Sequence, residues 1–174
     1  MSFIGEQLLG GVRLLTTSAV FYFTAPVLLG VAAIPAALRT YQLLSGNDNG
    51  WLELVVEALR VGLVAAMIVV GRAGTGSSGR PWTWLGKDIV HAYRTGWVGI
   101  LIQLAVVTAI ILGFNAVFES LVTAESARGM LTALQWDTSR AEATALAITF
   151  AVKNFVVIPL YLVAMLVASG VIRR

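Results

Sequence analysis

The stretch ELVVEALRVGLVAAMIVVG, residues 53–71, decides the fold of this chain. It is almost wholly apolar and long enough to cross a membrane, because about 20 helical residues at 1.5 Å rise span a hydrocarbon core of about 30 Å. It nevertheless carries Glu53, Glu57 and Arg60. At 100° per residue, these three side chains lie on one narrow face of the helix. A charge at the centre of a membrane helix costs about 2.5 to 3.5 kcal/mol on insertion scales, so we expect this face to contact protein rather than lipid.

The whole chain has the composition of an integral membrane protein. Of its 174 residues, 58% are hydrophobic and 12% are charged, and the mean hydropathy is +0.86. Soluble domains have roughly 45 to 50% apolar and about 25% charged residues. Cysteine is absent and His91 is the single histidine, which excludes disulfides, thiolate metal sites and CxxC redox chemistry. We therefore predict an all-α fold surrounded mostly by lipid, with no metal and no cofactor.

Four hydrophobic segments predict a four-helix transmembrane bundle that forms a single domain over residues 1–174. The predicted spans are residues 14–38, 51–71, 96–118 and 153–172. The first span contains Pro26 and Pro35 and should be kinked. A cleaved signal peptide is the alternative for this segment. Against it, the apolar run exceeds the length of a signal core and no basic residue precedes Arg13.

The connectors between the spans differ in character. Residues 45–50, SGNDNG, are a turn cluster, because Gly and Asn accept turn conformations. Residues 74–79, GTGSSG, have the glycine spacing of a dinucleotide-binding loop, but they follow a membrane span rather than a strand and indicate a flexible linker. Residues 81–94 are predicted to form a short interfacial helix. Residues 119–152 are predicted to form an outer connector, with Lys153 at the outer interface and residues 143–152 projecting as a helical extension.

The distribution of basic residues predicts the orientation. With four spans, both termini and the second connector lie on one side of the membrane. That side holds seven basic residues and the opposite side three: Arg13, Arg72, Arg80, Lys87, Arg94, Arg173 and Arg174 against Arg39, Arg128 and Arg140. The positive-inside rule then predicts an N-in/C-in, multi-pass protein of a prokaryotic cytoplasmic membrane, with both termini cytoplasmic.

The charges inside the spans predict a polar cluster. Glu57 and Arg60 are three residues apart and can bond each other, and we expect Lys153 at the same depth to pair with Glu53 or Glu57. In one alternative, Glu53 and Lys153 only extend to the interface. In another, the ionisable groups form a proton or ion pathway, although conduction needs successive sites through the whole membrane.

Small residues recur every fourth position in three of the spans. Because lipid provides no hydrophobic driving force for helix contact, such stripes allow the close backbone approach that membrane helices use for packing. We therefore predict helix interfaces, within the chain or between subunits, at Ala58, Gly62 and Ala66, at Ala105, Ala109 and Gly113, and at Ala143, Ala147 and Ala151.

The second connector is basic and aromatic, which is typical of the headgroup region of a membrane. We predict that it anchors the protein there through Trp82, Trp84, Lys87, His91, Tyr93, Arg94 and Trp97. Recognition of a specific lipid or partner is the sharper alternative. Nucleic-acid binding has no support beyond the positive charge, which the topology already requires.

These features predict a non-catalytic structural or assembly subunit of a membrane complex or homo-oligomer. Its expected partners are the lipid bilayer and other membrane subunits or a second copy of the chain. The first alternative is a small channel or transporter lined by Glu57, Arg60 and Gln103. The second is a lipid-acting enzyme that uses His91. It is disfavoured because one imidazole without a second ligand or a GxSxG elbow makes a poor catalytic centre.

Overall fold

The computed structural model of the chain describes residues 3–46, 49–73 and 85–172, apart from the side chain of Thr95. Within these ranges the chain forms helices and no strand, which confirms the predicted all-α fold. The helices are α1 (Phe3–Thr24), α2 (Pro26–Ser45), α3 (Gly50–Ala73), α4 (Leu85–Leu121), α5 (Ala124–Ala133), α6 (Ala141–Val152) and α7 (Ile158–Ala168). A 3-10 turn lies at Thr138–Arg140, and a π turn at Lys153–Val157 joins α6 to α7.

Four helices in the described ranges are long and apolar enough to cross a membrane. They are Pro26–Ser45, Gly50–Ala73, Gly96–Leu121 and Thr138–Ala168. The number of predicted spans is confirmed at this level. The second and third predicted spans, residues 51–71 and 96–118, lie within their helices.

The predicted first span, residues 14–38, does not coincide with one continuous helix. The backbone leaves the helical region at Ala25 (φ −107°, ψ 89°), so α1 ends there and a new helix starts at Pro26. The cause is local, because a residue before proline avoids the α region whereas proline suits the first turn of a helix. Pro35 lies inside α2 and does not end it. The apolar candidate for crossing is α2, which continues to Ser45 and is capped by Gly46 in the left-handed region (φ 64°).

The predicted fourth span, residues 153–172, also differs from the helix that the structure shows. The long apolar helix begins at Thr138, so Lys153 lies midway along it rather than at its end. The helix stops at Ala168, and Gly170 adopts a positive φ of 70° in the turn that follows. The predicted outer connector, residues 119–152, therefore includes the first half of a candidate span. That half, α6, packs along α2, which explains why it is part of the bundle.

The predicted interfacial helix, residues 81–94, is described only from Leu85 onward. Pro81, Trp82 and Trp84 lie outside the described residues. Residues 85–95 form the first part of α4 and are separated from the apolar part by a non-helical Gly96 (φ −164°, ψ 32°).

The helices α1 and α2 run antiparallel to the last long helix. Leu14 of α1 packs with Ala164 of α7. Further along, Arg140, before α6, donates to the carbonyl of Leu44 near the end of α2. The main core lies where α1, α2, α3 and α7 meet, and it consists of Phe21, Tyr22, Leu28, Ala32, Leu63, Met67, Val163 and Ile172.

The helix α5 folds back on α6. Thr123 and Ser126 form a capping box at its start, each side chain accepting from the other's backbone N–H. Asp137 caps the 3-10 turn that leads into α6, accepting from the backbone N–H of Ser139 at 2.9 Å. The side-chain and backbone hydrogen bonds from Ser139 hold the pKa of Asp137 below its usual value.

Candidate functional site

The charged face of α3 is connected to the last long helix through Arg60. Its Nη1 donates to Glu57, and its Nη2 donates to Asn154 Oδ1 at 2.6 Å. Asn154 is buried, and its Nδ2 donates to the carbonyl of Phe150 at 2.8 Å. The predicted pairing of Glu57 with Arg60 is therefore present. Asn154, which sequence reasoning missed, connects that pair to the rest of the bundle.

The prediction that Lys153 pairs with Glu53 or Glu57 is wrong. Lys153 Nζ donates to Glu119 Oε1 on α4 at 2.5 Å, and Glu53 accepts from Arg39 Nη1 on α2 at 2.9 Å. The reason is angular, because consecutive residues of a helix point about 100° apart. Asn154 faces α3, so its neighbour Lys153 is turned towards α4. The four residues predicted as one cluster belong to three separate ion pairs, of which Glu57–Arg60 lies within α3 and the other two join different helices.

Burial divides the charged face of α3 into two parts. The side chain of Arg60 is 28% exposed, whereas Glu57 is 63% exposed and Glu53 is 61% exposed. The guanidinium is thus turned inward as predicted, but the two carboxylates are not. Arg60 Nε is buried and has no hydrogen-bond partner among the described residues. An exposed carboxylate on a membrane helix needs water, headgroups or another protein around it, because unpaired charge is costly in hydrocarbon.

Asn154 belongs to the π turn at Lys153–Val157, which therefore lies beside Arg60. Pro159 has no N–H, so the carbonyl of Phe155, four residues earlier, lacks the donor that a regular α-helix would supply. The hydroxyl of Tyr22, which is fully buried, donates to that carbonyl at 2.6 Å. Because Ala25 follows Tyr22 by three residues, the break between α1 and α2 lies at the same level as the π turn in the last long helix. Such π turns are frequent at functional sites.

Gln103 lies far from this polar group. Its Nε2 donates to Gln7 Oε1 on α1 at 2.8 Å, and the pair shares a cavity of about 640 Å³ with Ala168. Ala168 and Asn154 are separated by roughly 21 Å along the helix at 1.5 Å per residue. The structure therefore does not bring Gln103 to Glu57 and Arg60.

Two of the three small-residue stripes are mostly exposed in the described part of the chain. A Cβ added at Gly62 or Gly113 would meet no atom within 4 Å, and the other members are Ala58, Ala66, Ala105 and Ala109. Of these six residues only Ala66 is partly buried, against the main core. The third stripe packs inside the chain, where Ala147 is 2% exposed, and its other members are Ala143 and Ala151.

Other glycines provide the close helix contacts within the chain. A Cβ at Gly11 would lie 2.6 Å from Val106 Cβ, and one at Gly71 would lie 2.7 Å from Ile172 Cγ1. Sequence reasoning missed these positions because neither belongs to a repeat of small residues every fourth position.

The helix α4 has the least buried apolar surface of the candidate spans. In its most apolar window, 6% of the residues are buried, against 28% in each of the other three. Val107 is fully buried, whereas Leu101, Leu112 and Val117 are exposed. Most of this helix is therefore open to lipid or to another protein.

The opposite end of the bundle is held by Arg72. Its Nη2 forms an ion pair with Asp88, and the two side chains are only 10% and 13% exposed. Its Nε donates to the carbonyl of Val171 at 2.9 Å. The guanidinium of Arg72, at the end of α3, thus contacts both the turn that follows α7 and the start of α4. From the sequence, Arg72 was expected to set the topology and to face the anionic inner leaflet, although an Asp across the linker was a usable signal for an ion pair.

The predicted anchor residues are described only in part. Lys87, His91 and Arg94 are exposed and line a groove of about 500 Å³ with Gly86 and Val90. Tyr93 and Trp97 are also exposed, whereas Trp82 and Trp84 lie outside the described residues. Within the described ranges, no group of three or more His, Cys, Asp or Glu side chains could hold a metal ion.

These observations define a class of protein, an α-helical bundle with four helices apolar enough to cross a membrane. Comparisons with protein families, with curated proteins and with solved structures find no match to this chain.

Proposed function

We propose that this chain is a non-catalytic subunit of a membrane assembly, in which α3 and α4 pack against another membrane protein or a second copy of the chain. The observation that carries the proposal is the pair of stripes that contain Gly62 and Gly113, five of whose six members are exposed in the described part of the chain. Small residues at this spacing are typical of helix interfaces in membranes.

The third stripe supports this reading from inside the chain. Ala147 is buried, and Ala151 faces Ala33 and Ala37 of α2 across one groove. The same spacing therefore packs where a neighbouring helix is available. A helix of the partner would pack against the stripes of α3 and α4, as α2 packs against the third stripe.

The exposed carboxylate of Glu57 also favours an external partner. The Glu57–Arg60 pair lies within a candidate span, and 63% of the Glu57 side chain is exposed. A polar group on the partner would stabilise this carboxylate, which hydrocarbon would not do.

The topology completes the proposal. The bundle sits in a prokaryotic cytoplasmic membrane with both termini inside. The positive-inside rule favours this orientation, because Arg39 and Arg140 fall within candidate spans and Arg128 is the one basic residue in the sequence between the third and fourth candidate spans. Reporter fusions at each terminus and in the connector after α2 test this arrangement. An external terminus would contradict it.

The absence of cysteine makes site-specific crosslinking a direct test of assembly. We expect Ala109→Cys, on the exposed face of α4, to crosslink in native membranes with a short bismaleimide. The product has the mass of two copies, or of one copy plus a different protein. Gly30→Cys is the matched control, because Gly30 is also an open helical position in a candidate span but belongs to no stripe. Equal crosslinking at both positions, or none at position 109, would contradict the proposal.

A second candidate function is transport, which one observation favours. The π turn and the Arg60–Asn154 contact lie midway along two candidate spans, and transporters place binding sites at interrupted helices near the membrane midplane. Flux into liposomes that changes with Glu57→Gln while crosslinking is unaffected would support transport over assembly. A lipid-acting enzyme is the third alternative, and it requires that His91→Ala abolishes turnover.

A further inference from the structure

The first part of α4, residues 85–95, has two distinct faces. Leu85, Asp88, Ile89 and Ala92 are half-buried and recur at the spacing of one helix face. Lys87, Val90, His91 and Arg94 are exposed. This part of the helix is therefore packed on one side and leaves its basic side outward.

The acidic residue of this segment is turned away from the basic side. Asp88 is 13% exposed and is paired with Arg72, so its charge is compensated inside the bundle. Lys87, His91 and Arg94 follow one another at intervals of four and three residues, which places them on one strip of the helix. They line the groove of about 500 Å³ together with Gly86 and Val90. Among the described residues, the groove is lined by basic side chains, a glycine and a valine.

The position of this basic groove along the bundle indicates what it meets. Arg72 connects Asp88 to the carbonyl of Val171, so the groove lies where α3 and the last long helix end. The apolar part of α4 begins just beyond it, at Gly96. Three candidate spans therefore begin or end at this level, which is where the headgroups of a bilayer lie. The rings of Tyr93 and Trp97 are exposed beside it, as is typical of the interface.

We propose that the basic groove binds the phosphate-containing headgroup of an anionic phospholipid. Lys87 supplies a point charge, Arg94 a planar group suited to two phosphate oxygens, and His91 a ring N–H donor. Arg94 also lines the neighbouring cavity that contains Trp97 and Phe3, so the glycerol and upper acyl part of the same lipid have apolar surface next to the phosphate. The site is independent of the proposed assembly, because it lies at the end of the bundle and not on either stripe.

The test uses the full chain in nanodiscs of equal phosphatidylcholine and phosphatidylglycerol, with retained lipids counted by native mass spectrometry. We expect preferential retention of phosphatidylglycerol. Lys87→Gln and Arg94→Gln should each reduce that preference by about fivefold, which corresponds to about 1 kcal/mol for one basic residue at an anionic surface. The matched control is Arg128→Gln, which removes an exposed cation from α5, outside the groove, and should leave the preference unchanged.

Three results would overturn the proposal. These are equal retention of the two lipids, an unchanged preference in the double Gln variant, and displacement of the lipid by an excess of inorganic phosphate, which would indicate a site for free phosphate. Lys87→Arg conserves the charge and should retain the preference, so loss of binding through misfolding is distinguishable. In the unaltered protein, the preference should fall with added salt because the contacts are exposed.

Discussion

The hydroxyl of Tyr22 donates to the carbonyl of Phe155, 2.6 Å away. This contact joins two irregular places in the backbone, because α1 ends just after Tyr22 and Phe155 lies in the π turn of the last long helix. Pro159 removes the N–H that would otherwise reach this carbonyl, and the π turn at Lys153–Val157 precedes it. The irregular last helix is thus held by a side chain from α1. The same turn orients Asn154 towards Arg60 and Lys153 towards Glu119.

We predict that Tyr22→Phe destabilises the bundle by about 1 to 3 kcal/mol, because it leaves a buried carbonyl without a donor. The measurement is the free energy of unfolding in mild detergent with increasing SDS. Tyr41→Phe, at an exposed tyrosine on α2, is the control and should change the stability little. Pro159→Ala returns an N–H to the helix, so it should recover much of the loss in the Tyr22→Phe background. If the two substitutions are simply additive, the contact does not have this role.

Asn154 should matter more than the adjacent Lys153. Asn154→Ala removes the inward partner of the partly buried Arg60 and should destabilise the bundle by about 2 kcal/mol. Lys153→Met breaks an ion pair with an exposed Glu119 and should cost at most about 1 kcal/mol. A double-mutant cycle of Asn154→Ala with Arg60→Met measures the coupling, and zero coupling would contradict the contact.

Glycines inside and outside the bundle should respond oppositely to the same substitution. Gly11→Ala places a Cβ 2.6 Å from Val106 Cβ and should destabilise the protein by about 1 to 3 kcal/mol. Gly113→Ala meets no atom within 4 Å and should stabilise α4 by up to about 1 kcal/mol, because Ala is the better helix former. Unfolding curves of the two variants under identical detergent conditions give the two changes in stability. Changes of the same sign would contradict the prediction.

Association should be lost without loss of the fold when the exposed stripes are enlarged. We expect Gly62→Leu and Gly113→Leu to abolish the crosslinked product of Ala109→Cys, because the larger side chains hold the partner helix away. Gly30→Leu, at an open position outside the stripes, should leave the product unchanged. Unaltered crosslinking in both stripe variants would show that neither stripe is an interface.

The ion pair of Arg72 and Asp88 should be the most costly to break. Both side chains are nearly buried, so Asp88→Ala removes the carboxylate beside a nearly buried guanidinium and should cost about 3 to 5 kcal/mol. Glu119→Ala, which breaks an exposed pair, is the control and should cost at most about 1 kcal/mol. SDS unfolding of both variants gives the comparison, and similar losses would contradict the burial of Asp88.

The secondary structure and the number of apolar helices were predictable from the sequence, because hydrophobicity and length act locally and need no knowledge of neighbours. The pairing of Glu57 with Arg60 was predictable for the same reason, since residues three apart on a helix are adjacent. Pro26 also indicated the break at Ala25, because a residue before proline avoids the helical region. One kinked span was predicted there, whereas the structure has two separate helices.

Only the tertiary structure decided which polar groups meet and which small residues pack. Depth along the membrane, counted from the predicted inner ends of the second and fourth spans, predicted Lys153 beside Glu53 or Glu57. Contact also depends on the rotation of each helix about its axis, which the packing of all its neighbours sets. A π turn and a proline shift that rotation, so Asn154 meets Arg60 and Lys153 turns to Glu119. For the same reason the Gly62 and Gly113 stripes are open while Gly11 and Gly71 are in contact, because spacing along a helix does not specify which neighbour, if any, lies across from it.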